Sequence, residues 1–323
     1  RKESSAASDV YKRQVLRRHL QEVLLDHVAR AGTPVAFGHR AVGIELDADG
    51  KAVAHFENGA SIRPDLLIGA DGRMDSVARK FVAGDNTPVY QGFVNWIGVA
   101  QGQHALVDGI SIQDFWGAGE RFGCVAIRPQ LVYWAAAQAR PLSKAIPTPD
   151  IRKEVEDLFT GWPEPVAHII RSTPANAIRL IAVHDLEPLH TWSRANVLLI
   201  GDAAHAPLPT SGQGACQALE DAWHLARCLD GASGSLDRAF RAFTKIRSPK
   251  TAKLAEQGRA FASGLFATDP ETCRMRNERA KASDPLRDVQ VLAAGWGQGL
   301  PMPGCIDSTP AQAGSFGSLY RIE

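Results

Sequence analysis

Val197-Leu198-Leu199-Ile200-Gly201-Asp202-Ala203-Ala204-His205 continues through Ala206 into Pro207-Leu208-Pro209-Thr210-Ser211-Gly212-Gln213-Gly214-Ala215. Four apolar residues ending in glycine read as a buried strand, and Asp202 then falls at its C-terminal edge, where open α/β sheets bind ligands. A carboxylate there only accepts hydrogen bonds, which suits ribose or ribityl hydroxyls. Gly212 and Gly214 admit a planar ligand close to the backbone. The helix expected over Gln213–Leu229 aims its free N–H groups and positive end at the same place. Such an end favours negative charge on a bound ring. Ser211 is no nucleophile elbow, because Pro209 stands where G-x-S-x-G needs its first glycine. His205 reads as a structural histidine, since no further ligands at metal spacing accompany it and Asp202.

Working outward, Asp65-Leu66-Leu67-Ile68-Gly69-Ala70-Asp71-Gly72-Arg73-Met74-Asp75-Ser76-Val77-Ala78-Arg79 repeats the theme. A strand, buried on both faces by its composition, leads to a Gly-Asp-Gly turn and a helix from about Asp75, so Asp71 is either a second ligand at a sheet edge or a helix cap. Upstream, Leu16, Leu20, Val23, Leu24, Leu25 and Val28 form a helical stripe that Gly32-Thr33-Pro34 stops. Short strands are predicted at Val35–Phe37, Ala41–Leu46 and Ala52–Phe56, with turns at Asp49-Gly50 and Asn58-Gly59. Between about Asn86 and Ile181, alternating aromatics (Phe93, Trp96, Phe115, Trp116, Phe122, Tyr133, Trp134) predict an antiparallel sheet with one helix near Ile151–Phe159. Helices are expected again around Leu236–Leu265 and Asp284–Ala294.

The fold class is therefore α/β: a Rossmann-like domain interrupted by a mainly antiparallel insert, with helices at the C-terminal end. The expected division is 15–85 and 182–232 for the α/β domain, 86–181 for the insert, 233–303 for the helical region, and 304–323 for a Gly/Ser/Pro-rich disordered tail. Residues 1–14 are polar and aperiodic. Their end, Asp9-Val10-Tyr11-Lys12-Arg13-Gln14, resembles a translated sequencing-library adapter, so they are set aside as a non-native scar.

The 323 residues are 45% hydrophobic and 22% charged, with a formal net charge of +1, the mix of an ordinary globular protein. No basic footprint argues for nucleic acid, and no apolar run approaches the roughly 18 residues of a membrane span. The five cysteines form no C-x-x-C pair, which fits reduced thiols and a cytoplasmic location. Cys216 and Cys228 are expected to be packing residues on the helix after Gly212.

Taken together, the two strand–turn–helix segments resemble the paired Asp-Gly and Gly-Asp motifs of class A flavoprotein monooxygenases with the para-hydroxybenzoate hydroxylase fold. Arg17-x-x-Leu20 is similar to that family's flavin-contacting arginine helix. Trp192 and Trp296-Gly297-Gln298-Gly299-Leu300-Pro301 also fit. The resemblance implies that FAD is held by Asp202, Pro209 and the Gly212-Gln213-Gly214-Ala215 backbone, with Arg17, Ala41 and Asp71 contributing and Asp71 also serving NADH or NADPH. It implies that NAD(P)H reduces FAD and that O2 adds to give a C4a-hydroperoxyflavin. An oxygen atom then passes to an electron-rich ring carbon, with the protein supplying orientation and exclusion of water. Within the family, Tyr90-x-Gly92-Phe93-Val94-Asn95-Trp96, Gly117-Ala118-Gly119-Glu120-Arg121 and Tyr133 resemble the segments facing urate in urate-hydroxylating members. Asn95 and Tyr133 would then bond a small aromatic or heterocyclic substrate and Arg121 its anionic or carbonyl edge. Thr210 departs from those members, which carry an acidic residue there.

An epoxidase or reductase using the same flavin site is the alternative reaction. No G-x-G-x-x-G loop follows an early strand, so the resemblance also implies that the first βαβ unit, with its ADP-binding glycines, lies outside these residues. On that reading the chain is an inactive fragment by itself, expected to bind FAD poorly, to leave sheet edges and helix faces uncovered and to aggregate. A monomer or a homodimer is expected for the intact enzyme.

Overall fold

The computed structural model describes residues 15–84, 86–102, 112–128 and 130–300. The expected scar at 1–14 and the expected disordered tail at 304–323 lie outside them. The chain divides into two compact units, one of residues 34–91 and 183–262, the other of 1–33, 92–182 and 263–323. Its elements in chain order are α1 (Arg17–Arg30), β1 (Ala41–Leu46), β2 (Ala52–Phe56), β3 (Ser61–Ile62), β4 (Leu67–Gly69), α2 (Val77–Ala83), β5 (Val89–Gln101), β6 (Ile112–Trp116), β7 (Glu120–Arg128) and β8 (Leu131–Ala139). There follow α3 (Ile151–Leu158), α4 (Val166–Arg171), β9 (Arg179–Asp185), β10 (Ser193–Arg194), β11 (Val197–Leu199), α5 (Asp202–His205), α6 (Gly214–Asp230), α7 (Leu236–Leu265), α8 (Pro270–Ala282) and α9 (Pro285–Gly297). The fold is mixed α/β with antiparallel sheets, as the texture predicts.

In the first unit, β11 lies between β10 and β4, parallel to β4 with Leu199 opposite Gly69. Val197, Leu198 and Leu199 are wholly buried, packed with Ala78, Trp192, Ala203, Ala204 and the α7 aromatics Phe240 and Phe243. Helix α2 packs on β1, β11 and α5. A hairpin sheet, β1-β2-β3, completes the unit, with Gly50 and Gly59 at positive φ in its turns.

Three expectations fail here. Val35–Phe37 is irregular, because no described strand pairs with it, and Phe37 is exposed. Strand β4 is not buried on both faces: Ile68 on it is 43% exposed, and among the described residues β4 ends its sheet. Cys216 faces outward on α6 and so does not pack, whereas Cys228 is half-buried.

In the second unit, β6-β7-β8-β5-β9 form one five-stranded sheet. Its even-numbered β5 and β8 side chains, Val94, Trp96, Trp134 and Ala136, bury one face against α3 and α4 together with Phe122 and Cys124 of β7. This is the period-2 pattern of a half-buried sheet. Trp134 satisfies its indole by donating to Thr173 Oγ1 at 2.8 Å. Burial, helped by the Asp114 charge, pushes the Cys124 thiol up to about 12, so it is a packing group and not a nucleophile. Helix α1 is counted with this unit, yet none of its residues is buried; Val23, Leu24 and Leu25 are exposed. Helices α4 and α8 were not foreseen. The latter is polar almost throughout, and its start is set by Asp269, which accepts from Thr272 N at 2.8 Å, with Pro270 in the first turn.

Candidate functional site

Gly201 ends the β11 strand segment at φ 57°, a left-handed turn that a side chain would strain, and this turn delivers Asp202 to the first position of α5. Gly212 adopts φ 65°, and α6 then begins at Gly214. A Cβ placed on Gly214 would lie 3.8 Å from Asp202 Oδ1, so the Asp202 carboxylate sits beside the opening turn of a 17-residue helix. None of the described hydrogen bonds ends on that carboxylate. Pro209, Gly212 and Ala215 are exposed around it and Gln213 is buried. An acceptor with no donor among the described residues, beside exposed backbone and free helical N–H groups, fits the polyol and ring edge of a flavin. The Thr210 hydroxyl in the same turn is buried with no partner among the described residues.

Asp71 is placed differently. One of its oxygens takes the Ser76 hydroxyl and the other the Ala78 N–H at 3.0 Å, while Ser76 Oγ accepts from Arg79 N. Both oxygens therefore serve the start of α2. Arg79, buried in that helix, donates to the carbonyls of Gly72, Arg73 and Asn86, and to Ala203 O at 3.3 Å. Its guanidinium thus ties the Asp71 loop to the Asp202 turn. Ala41 opens β1, against which α2 packs.

The remaining residues gather in the other unit. Asn95 and Arg121 both stand opposite Ala137, while Val99 and Val125 both stand opposite Tyr133. Opposed residues share a face, as do residues two apart, so Asn95, Arg121 and Tyr133 project from one face of the sheet, away from α3 and α4. Asp114, opposite Gly123, lies on the same face and is wholly buried. It holds Arg121 Nε at 2.8 and 3.0 Å from its two oxygens. A Cβ on Gly123 would come within 3.0 Å of Arg121 Nη2 and 3.2 Å of Asp114 Oδ1, so the guanidinium leans along the face toward Tyr133. Burial raises the Tyr133 phenol above its ordinary value against the opposing charges of Arg121 and Arg17, and the group stays protonated at neutral pH. Arg17 itself lines a cavity with Val99, Gln101, Arg128 and Leu131.

Sequence reading missed Asp114, the bridging role of Arg79, and a buried polar cluster behind Asp202. Asp221, wholly buried, accepts from Gly201 N at 2.7 Å and Arg247 Nε at 2.6 Å, and lies 2.5 Å from His205 Nε2. A carboxylate only accepts, so His205 carries its proton on Nε2. Trp192 stacks on the same ring at 5.3 Å. His205 is thus structural, as its lone position suggested. The available signal was the α6 stripe Gln217, Glu220, Asp221, His224 and Leu225, a core-facing helical period filled mostly with polar residues.

Burial pushes the Asp221 carboxyl up, but the bonds and charges of His205 and Arg247 outweigh it and hold the group below its ordinary 3.8. A depressed carboxyl contributes stability that is complete above the ordinary value and is lost as pH falls through it toward the folded value. Urea midpoints should hold steady from neutrality to about pH 5 and fall below about 4. Asp221→Asn should make that acid fall shallower; an unchanged slope would remove Asp221 from the account.

Strand, turn, glycine-flanked helix entry and an acceptor carboxylate define a flavin-type nucleotide-binding protein. Residues 6–249 match the family described as "FAD binding domain", and the chain belongs to that family. Aurachin C monooxygenase/isomerase of Stigmatella aurantiaca is 36% identical over 250 residues, 77% of this chain and 62% of the relative. A FAD-dependent urate hydroxylase of Klebsiella pneumoniae is 37% identical over 210 residues, 64% of this chain and 53% of the relative. Klebsiella pneumoniae HpxO, solved with FAD and uric acid, superposes with a TM-score of 0.79 at 28% identity, covering 87% of this chain and 72% of that one. The chain thus spans less than two thirds of the length of both curated relatives. Among the described residues no helix is long and apolar enough to cross a membrane.

Proposed function

We propose that this chain forms the flavin-ring and substrate portions of an FAD- and NAD(P)H-dependent monooxygenase that hydroxylates an aromatic or heteroaromatic ring, urate-like in its polar edges. The observation that carries the reading is the shared sheet face of Asn95, Arg121 and Tyr133. When bound, FAD would supply the redox chemistry between the nicotinamide and O2. Asp202 and the Gly212–Ala215 backbone would hold it, and Arg17, Ala41 and Asp71 complete the proposed set.

The substrate residues divide the remaining work. Arg121, aimed by the buried Asp114, donates charged hydrogen bonds to a carbonyl or anionic edge. Asn95 offers a donor and an acceptor side by side, matching an N–H/C=O edge. Tyr133 donates as a phenol. The three side chains offer their polar groups from one sheet face, and a ring bound against them excludes water from that face.

The test is Arg121→Gln in the flavin-loaded protein. Losing a charge-assisted bond of about 1.5–3 kcal/mol should misplace the ring, so hydroxylated product falls at least about tenfold while NAD(P)H consumption continues and hydrogen peroxide appears. Unchanged coupling with an accepted substrate would sink the assignment. Labelled oxygen in the product distinguishes ring hydroxylation from epoxidation, and its absence from the product points to reduction.

A further inference from the structure

Behind the Asp202 turn lies a buried set of paired charges. Glu220 and Asp221 of α6 face Arg247 and Lys250 of α7; Asp221 and Arg247 are wholly buried and Glu220 nearly so. Two acids and two bases balance, and apolar residues of the same volume would often stabilise a helix pair as well or better. Stability alone therefore does not account for the arrangement. What the set touches is more informative.

Asp221 binds both ends of α5, accepting from Gly201 N at 2.7 Å and lying 2.5 Å from His205 Nε2. Asp202 is the first residue of that four-residue helix, so its backbone is clamped from both sides. Arg247 reaches the other half of the site: Nη2 donates to Gln217 Oε1 at 2.7 Å and to Gln217 O at 3.2 Å, in the first turn of α6. Its Nε holds Asp221 at 2.6 Å. One connected network thus fixes the carboxylate and the helix entry relative to each other.

We propose that Asp221 and Arg247 are positioning residues of the flavin site, setting the placement of Asp202 against the α6 entry. The inference rests on the reading that these two features hold FAD. Both side chains are wholly buried, so they act through the Gly201 turn and Gln217.

The experiment compares Asp221→Asn and Arg247→Lys with a control, Asp185→Asn. Asp185 is an equally buried carboxylate paired with Arg259 at 2.6 Å, outside this network. FAD dissociation constants are read by flavin fluorescence, with the flavin absorption spectrum and the thermal unfolding of apoprotein alongside. Asp221→Asn should weaken FAD binding at least about tenfold and displace the visible flavin bands, each tenfold being about 1.4 kcal/mol. Arg247→Lys, which can serve Asp221 or Gln217 but not both, should weaken it about threefold and remains informative if the asparagine variant does not fold. Asp185→Asn should lower the unfolding temperature and leave FAD affinity unchanged. Parent-like FAD affinity in both network variants overturns the proposal, as does a control that weakens FAD binding as much as they do. A full-length parent protein that binds no FAD overturns the site reading as well, which separates the two failures.

Discussion

Gly69→Ala should cost about 3 kcal/mol or more of stability, the upper range for overpacking a core. A Cβ at this position would stand 2.3 Å from Ala78 Cβ and 2.9 Å from Leu199 Cδ2. Neither neighbour is the far end of a flexible chain in open space. Ala78 is buried in α2, and Leu199 is wholly buried in the adjacent strand. Relief therefore requires α2 to move off β4. That motion is resisted by Asp71 and Ser76 at the helix start and by Arg79, whose guanidinium spans Gly72, Arg73 and Ala203. The same motion would carry the Asp71 loop away from the Asp202 turn, so the substitution should lower FAD binding as well as the urea midpoint. Ala78→Gly in the Gly69→Ala background removes the nearest clash and should restore most of the loss, less about 1 kcal/mol for glycine in a helix. A single variant within about 0.5 kcal/mol of the parent would contradict this packing.

The Gly69 contact also shows what sequence can reveal. The segment Asp65–Arg79 announces strand, turn and helix because each signal is local: an apolar run, Gly-Asp-Gly, then Ser76 before a helical period. That α2 lies so close to β4 that position 69 admits no side chain is a tertiary fact with no local signature. The turn Gly201–Asp202 and the entry at Gly212–Gly214 were legible for the same local reason. Its clamp was not, since Asp221 and Arg247 meet across 26 positions, and a lone arginine in a helix reads as a solvated residue. The common face of Asn95, Arg121 and Tyr133 depends on register across three strands. Alternation predicts which residues of one strand share a face, but the pairing of strands decides whether faces coincide. Val35–Phe37 fails for the converse reason: a short apolar stretch looks like a strand, and only a partner makes it one.

The two aspartates of the paired motifs should separate by what is lost when each is removed. Asp202 has a carboxylate on which none of the described hydrogen bonds ends, held beside the α6 entry, so Asp202→Ala removes acceptors offered to a ligand and few that the fold uses. Its loss should raise the FAD dissociation constant about 10- to 100-fold, the worth of one or two hydrogen bonds to a charged group. The apoprotein should unfold within about 2 °C of the parent, since a substitution outside the core network changes stability by only about 0.5 kcal/mol. Asp71 spends one oxygen on Ser76 and the other on Ala78 N, two donors that start α2. Asp71→Ala should therefore cost about 1 kcal/mol as a lost cap, visible in apoprotein without any flavin. Its effect on FAD affinity should be the smaller of the two and should follow the loosening of the loop that Arg79 ties to Ala203. The reverse pattern, with Asp202→Ala unfolding the apoprotein and Asp71→Ala sparing it, would exchange the roles of the two residues. Equal tenfold losses of affinity from both, with stability intact, would make Asp71 a ligand contact in its own right, and the cap would then be incidental to its position.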